Sequence, residues 1–199
     1  MTKVILASES PRRKELLEQI GLQFEVIPSK GKEIITSERA EEVVVELSRQ
    51  KAEEVAKAVF AECAEGEGII VIGADTVVSY GHKILGKPKT EDEAMLMLKL
   101  LGGHTHQVYT GVTVVFLKPD GTTGMHSFYE TTDVSVASLT RKEIEWYVSS
   151  GESMDKAGAY GIQGKFARFI TFIFGDYNNV VGLPVGRLYQ ELKRTGLEL

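Results

Sequence analysis

The chain has 199 residues, 43% of them hydrophobic and 26% charged, with a net charge of -5 and a single cysteine. That is enough for one domain over residues 1–199 with a buried core, and the acidic balance excludes a general nucleic-acid or anionic-membrane surface. Cys63 alone excludes an intrachain disulfide and a multi-cysteine metal site, and no apolar run approaches the roughly 20 residues of a membrane span. Met1-Thr2-Lys3 leads into an apolar strand rather than a signal peptide, so the reading is cytoplasmic.

The first strand is Val4-Ile5-Leu6-Ala7, and Ser8-Glu9-Ser10-Pro11 opens the first helix with proline at its first position. Arg12, Arg13 and Lys14 then crowd a helix end where the macrodipole is already positive. Free backbone N–H groups and two guanidinium forks at one spot predict a phosphate or polyphosphate ligand; a solvated basic turn offset by Glu9 and Glu15 is the alternative. Gly21 closes the helix, Phe24-Glu25-Val26-Ile27 reads as a second strand, and a long helix is predicted from about Glu38 to Ala64.

A buried-type strand follows at Ile69 to Val78, with a short return strand at Lys83-Ile84-Leu85. Thr90-Glu91-Asp92-Glu93 and Thr140-Arg141-Lys142-Glu143 match the capping box and open helices over about 91–101 and 141–150. Between them Val108–Leu117 and Ser127–Val136 form a hairpin around Pro119-Asp120-Gly121, and the last helix starts at Pro184. Strands and helices thus alternate in an α/β chain. The aromatic run Phe166 to Phe174 reads equally as a core strand or a partner surface.

Three features are misplaced for folding alone. Lys51 falls in the apolar stripe of Val44, Leu47, Val55 and Val59, where it either snorkels to water or meets an anion shared with Arg12 and Arg13. Asp75 interrupts an apolar run and needs a cation, a metal or several donors unless the strand ends there; Gly73 before it predicts a close approach, and Thr76 points to the opposite face. Glu33 could join Asp75 around a divalent ion, or remain a solvated loop acid. The third feature is the glycine-rich segment Asp155-Lys156-Ala157-Gly158-Ala159-Tyr160-Gly161-Ile162-Gln163-Gly164, in which Gln163 can offer a donor and an acceptor to a nucleobase edge. His104 and His106 suit either a structural role or a metal.

Taken together, Ser8-x-Ser10-Pro11-Arg12-Arg13, Gly73-Ala74-Asp75-Thr76-Val77-Val78, Gly86-Lys87-Pro88, His106-x-Val108-x-Thr110-Gly111, Asp155 to Gly164 and Asn179-Val180-Val181-Gly182-Leu183-Pro184 occur in an order that resembles the Maf-like nucleotide pyrophosphatases. The resemblance spans nearly the whole chain. It implies a mixed, elongated sheet with two lobes around a cleft, of the kind shared with inosine-triphosphate pyrophosphatases, and commonly a homodimer. It also implies hydrolysis of a nucleoside triphosphate to monophosphate and pyrophosphate with Mg²⁺ or Mn²⁺. The segment after Asp155 is similar to that of the group acting on dTTP, UTP and modified relatives. By the same resemblance Asp75 is the proton acceptor, Arg12, Thr76 and Gln163 bear on base selectivity, and Ser8, Arg13, Lys51 and Lys87 lie on the phosphate side. Two other readings stay open: a pyrophosphatase for non-standard purine triphosphates, and a nucleotide-sensing regulator that needs neither Asp75 nor a metal.

Overall fold

Strand β1 (Thr2–Leu6) starts the chain and is buried on both sides, which is why its sequence is a continuous apolar run rather than an alternating one. This computed structural model describes residues 2–64 and 66–196; Met1, Glu65 and residues 197–199 lie outside the described residues. After β1 come α1 (Pro11–Gln19), β2 (Glu25–Val26), α2 (Ala40–Ala61), β3 (Gly68–Tyr80), β4 (Lys83–Leu85) and α3 (Glu91–Leu101). The hairpin of β5 (Thr105–Leu117) and β6 (Thr123–Val136) leads to α4 (Arg141–Ser149), β7 (Ile170–Phe174), α5 (Tyr177–Val181) and α6 (Val185–Arg194).

The strands form one mixed sheet in the order β2-β1-β3-β5-β6-β7, with β4 paired to β3. Both neighbours of β1 run parallel to it, whereas β3, β5, β6 and β7 are successively antiparallel. β1 stops where Leu6 faces Ile72, and β4 joins the same side of β3 at Val78. Residues 73–77 therefore face an opening between two strand ends, and Asp75 and Thr76 lie in that window.

Two layers cover the sheet. On one face Leu16, Leu17, Leu98, Tyr147 and Leu188 pack with Leu6, Ile70 and Ile72 in the larger core. On the other, α2 lays Val43, Val44, Leu47, Val55 and Ala56 against Ile5, Ala7, Val71 and Val77. Each fully buried side chain of this size contributes roughly 1.5–3 kcal/mol, so the stripe on α2 holds the helix without strong caps. The close approach predicted at Gly73 is present, since a Cβ there would stand 2.3 Å from the Ser48 carbonyl oxygen of α2.

Several boundaries differ from the sequence reading for local reasons. The long helix is trimmed at both ends, the second strand shrinks to two residues, and both hairpin strands begin earlier, β5 at Thr105 and β6 at Thr123. Pro184 is the N-cap of α6 and not its first residue. The aromatic run Phe166–Phe174 divides: Phe166 and Phe169 are buried in a 3₁₀ turn, whereas Phe172 and Phe174 are exposed on the edge strand β7. Five residues are too few for a helical period, which is why α5 leaves no pattern in the sequence.

Candidate active site

The first turn of α1 starts the site. Ser10 is its N-cap without a side-chain cap bond, Pro11 has no N–H, and the first turn holds no acidic residue, so the positive helix end is left open to an anion. The opening in the sheet beside residues 73–77 deepens into a cleft of about 760 Å³, and Ser8, Arg12, Arg13, Glu33, Lys51, Asp75, Thr76, Lys87 and Gln163 all line it. Residues from six separate stretches, drawn together from sequence by unrelated arguments, thus share one cavity of a size suited to a small ligand.

Asp75 is not at a strand end: β3 continues five residues beyond it. Its Oδ1 accepts from Lys51 Nζ at 2.5 Å, and the same ammonium lies 2.8 Å from Glu33 Oε1. Lys51 therefore does not snorkel to water. Its side chain retains 18% of its exposure and that of Asp75 15%, so the pair is partly desolvated, and Glu33 closes it from the solvent side at 51%. Asp75 Oδ2 has no hydrogen-bond partner among the described residues and is open to a ligand.

Thr76 points to the opposite face of β3, as the two-residue period requires, and both faces reach the cleft because no strand covers the edge between them. Arg13 organises that second face. It donates from Nε to the Gly182 carbonyl at 2.8 Å, from one terminal nitrogen to Ser8 Oγ and from the other to Thr76 Oγ1, both at 3.0 Å. Three of the five guanidinium N–H groups are thereby committed to the protein and two remain for a ligand. Burial pushes the Arg13 guanidinium below its ordinary value, with the Asp75 carboxylate opposing, and leaves it a cation.

Proton directions follow from these contacts. The Thr76 and Thr110 hydroxyls lie 2.9 Å apart, with the Asn179 carbonyl 3.0 Å from Thr110 and the Gly182 carbonyl 3.5 Å from Thr76, so both hydroxyl protons have acceptors within the protein. Ser8 Oγ accepts from Arg13 and from the Ser10 N–H at 3.3 Å, which leaves its own proton to donate.

Arg12 reaches across to the glycine-rich segment and donates to Asp155 Oδ2 at 3.1 Å, while Lys156 Nζ lies 2.5 Å from Asp155 Oδ1. Burial pushes the Asp155 carboxyl upward, but hydrogen bonds from Lys156 and Arg12 outweigh it and hold the group below its ordinary value. Sequence reasoning names this segment without a task for Asp155 or Lys156; two charged residues heading a glycine-rich loop are the signal that could have found them. Lys87 is exposed at the cleft and makes no ion pair among the described residues. Gln163 is exposed, and its amide has no hydrogen-bond partner among the described residues. The glycines around it admit side chains of the chain itself: Gly158, at φ 67°, faces Val78, Gly161 faces Lys156 and Gly164 faces Glu152.

His106 is fully buried, with Nε2 2.8 Å from the Tyr160 hydroxyl, and among the described residues no group of three or more His, Cys, Asp or Glu could hold a metal ion. Its role is structural. Burial pushes the imidazole down to about 4, so the unfolded chain, near 6.5, takes up this proton first. The resulting stability is present above about pH 6.5 and is lost as pH falls toward 4. Urea midpoints should show about 2 kcal/mol lost to this residue between about pH 7.5 and pH 5, a slope absent from His106→Gln.

Among known proteins, the dTTP/UTP pyrophosphatase of Agathobacter rectalis is 62% identical, with all of both chains covered. That of Lachnoclostridium phytofermentans is 49% identical over 100% of this chain and 98% of its own. Among solved structures, a HAM1 protein from Coxiella burnetii aligns with 98% of this chain and 100% of that one at a TM-score of 0.47 and 16% identity, too loose a likeness to carry an argument about chemistry. The model of the family described as Maf-like protein matches residues 3–195, and with relatives this similar over their full length the chain belongs to the Maf-like proteins.

Proposed function

We propose that this protein hydrolyses nucleoside triphosphates to the monophosphate and pyrophosphate, with UTP and dTTP preferred. The observation that carries the reading is the Lys51–Asp75 pair set in the sheet opening beside the cationic start of α1, within one cleft that also presents Gln163. The names of the full-length relatives support the same substrate pair.

The residues suggest a division of labour. A polyphosphate would replace the internal anions that now occupy Arg12 and Lys51, and Lys87 is free to add to them. Negative charge develops on the departing pyrophosphate, and fixed cations that meet it in a partly dry cleft stabilise the transition state more than the ground state. Ser8 would donate its remaining proton to a phosphate oxygen, and Arg13 would hold Ser8, Thr76 and Gly182 in register while offering its two unused N–H groups. Asp75 Oδ2 is the acceptor for a proton of the attacking water.

Asp75 and Glu33 fit a divalent ion. Both carboxylates already converge on one cation, the Lys51 ammonium, and Mg²⁺ commonly takes one or two carboxylates with the rest of its shell from substrate phosphates and water. When bound, Mg²⁺ or Mn²⁺ would supply charge neutralisation on the triphosphate and lower the pKa of a coordinated water. A cytoplasmic, homodimeric enzyme belongs to the same proposal, supported by the family resemblance. Among the described residues no helix is long and apolar enough to cross a membrane.

Gln163 predicts the base preference. Its amide can donate to O4 and accept from N3–H of uracil or thymine, whereas cytosine reverses both groups and leaves each facing its like in the amide orientation that suits uracil. In a pyrophosphate-release screen with Mg²⁺ or Mn²⁺, UTP and dTTP should exceed CTP by at least about tenfold in kcat/KM, the worth of one mismatched polar pair. Equal rates for UTP and CTP would remove the Gln163 account. A purine triphosphate ahead of both would move the substrate class, and nucleotide bound without product would make the protein a sensor.

A further inference from the structure

We infer that Tyr147 and Glu152 are positioning residues that set where Gln163 meets the base, an inference that rests on the reading of Gln163 given above. Neither side chain lines the cleft, yet the backbone N–H groups they bind lie on either side of Gln163. The Tyr147 hydroxyl accepts from the Gly161 N–H at 3.1 Å, two residues before Gln163, and Glu152 Oε2 accepts from the Lys165 N–H at 2.9 Å, two residues after it. The short stretch between the two grips is closed on itself by the Gly164 N–H donating to the Gly161 carbonyl at 3.2 Å.

Tyr147 is the buried anchor and Glu152 the half-buried one. Tyr147 is fully buried on α4, with its ring centroid 4.9 Å from that of Phe166, and burial pushes its phenol up to about 12, so it stays a neutral hydroxyl. Glu152 reaches its site because residue 164 is a glycine: a Cβ there would lie 2.2 Å from Glu152 Oε2. The Gln163 side chain, by contrast, is exposed and has no hydrogen-bond partner among the described residues, so nothing in its own contacts fixes its direction. Its backbone is what fixes it, held by these two bonds together with the buried side chains of Ile162 and Phe166. An amide that must face a base edge within hydrogen-bond tolerance loses discrimination when its backbone is free to drift.

The test compares Tyr147→Phe, Glu152→Ala and Glu152→Gln with wild type and with Gln163→Ala, measuring kcat and KM on UTP and CTP and inhibition by inorganic tripolyphosphate. Loss of one grip should lower the UTP over CTP preference by about three- to tenfold through a raised KM for UTP, the range expected for one hydrogen bond. Tripolyphosphate inhibition and kcat on UTP should stay within about twofold, because the grips lie away from the phosphate side. Glu152→Gln, which keeps an acceptor oxygen, should restore most of the preference. General loosening of the fold would instead depress kcat and weaken tripolyphosphate binding in step, and that result would overturn the inference. Should Gln163→Ala abolish the preference while Tyr147→Phe and Glu152→Ala keep it, the positioning role falls and the Gln163 reading stands. An unchanged preference in Gln163→Ala removes that reading, and the inference with it.

Discussion

Asp75→Asn is expected to lower kcat on UTP by about 10²- to 10⁴-fold with little change in nucleotide affinity, the range a positioned general base contributes. The substitution keeps the volume of the side chain and an oxygen for the Lys51 ammonium, and Glu33 remains 2.8 Å from the same nitrogen, so the cation is not stranded. What disappears is the charge and basicity of the second carboxylate oxygen, the one without a hydrogen-bond partner among the described residues. Binding relies on Arg12, Lys51, Lys87 and the start of α1, all intact in the variant. Fluorescent-nucleotide titration beside single-turnover kinetics separates the two quantities. A variant that turns over at the wild-type rate would take Asp75 out of the chemistry, and one that no longer binds would assign it to holding the substrate or its metal.

The features legible in the sequence are those with a local physical signature. Asp75 is visible because a carboxylate inside an apolar run has to be compensated, and Lys51 because an ammonium in an apolar stripe has to find a partner. That each is the partner of the other is not visible, because it depends on α2 crossing β3 at one place, and no pattern within either element records the crossing point. Gly73 hints at close approach, but the approaching group is known only from the fold. The cleft itself follows from where β1 stops and β4 begins along β3, a matter of strand length that periodicity defines to a few residues at best. Arg13 was placed on the phosphate side by resemblance; the structure shows three of its donors committed to Gly182, Ser8 and Thr76, so it frames the site as well as facing it. The Arg12–Asp155 bridge joins residues 143 positions apart and leaves no trace in either segment.

Gly73→Ala should damage stability and substrate binding together. The new Cβ would lie 2.3 Å from the Ser48 carbonyl oxygen, 2.8 Å from the Ala52 nitrogen and 2.9 Å from the Ala52 Cβ, all on α2 and the first two in its backbone. A helix backbone cannot turn aside as a side chain can, so relief requires α2 to lift from the sheet, at a cost of about 3 kcal/mol or more. For a chain of this size that lowers Tm by roughly 10 °C. Lys51 sits between the two contact points, so the lift carries its ammonium away from Asp75 and from the phosphate site, and KM for UTP should rise by about tenfold or more. Gly186→Ala provides the contrast, since nothing lies within 4 Å of its Cβ and it is in a helix, where alanine is expected to be neutral or to stabilise by up to about 1 kcal/mol. If Gly73→Ala melts lower but keeps its KM, the Lys51–Asp75 pair tolerates displacement of the helix, and the position of Lys51 is maintained by its two carboxylates rather than by the packing of α2 on β3.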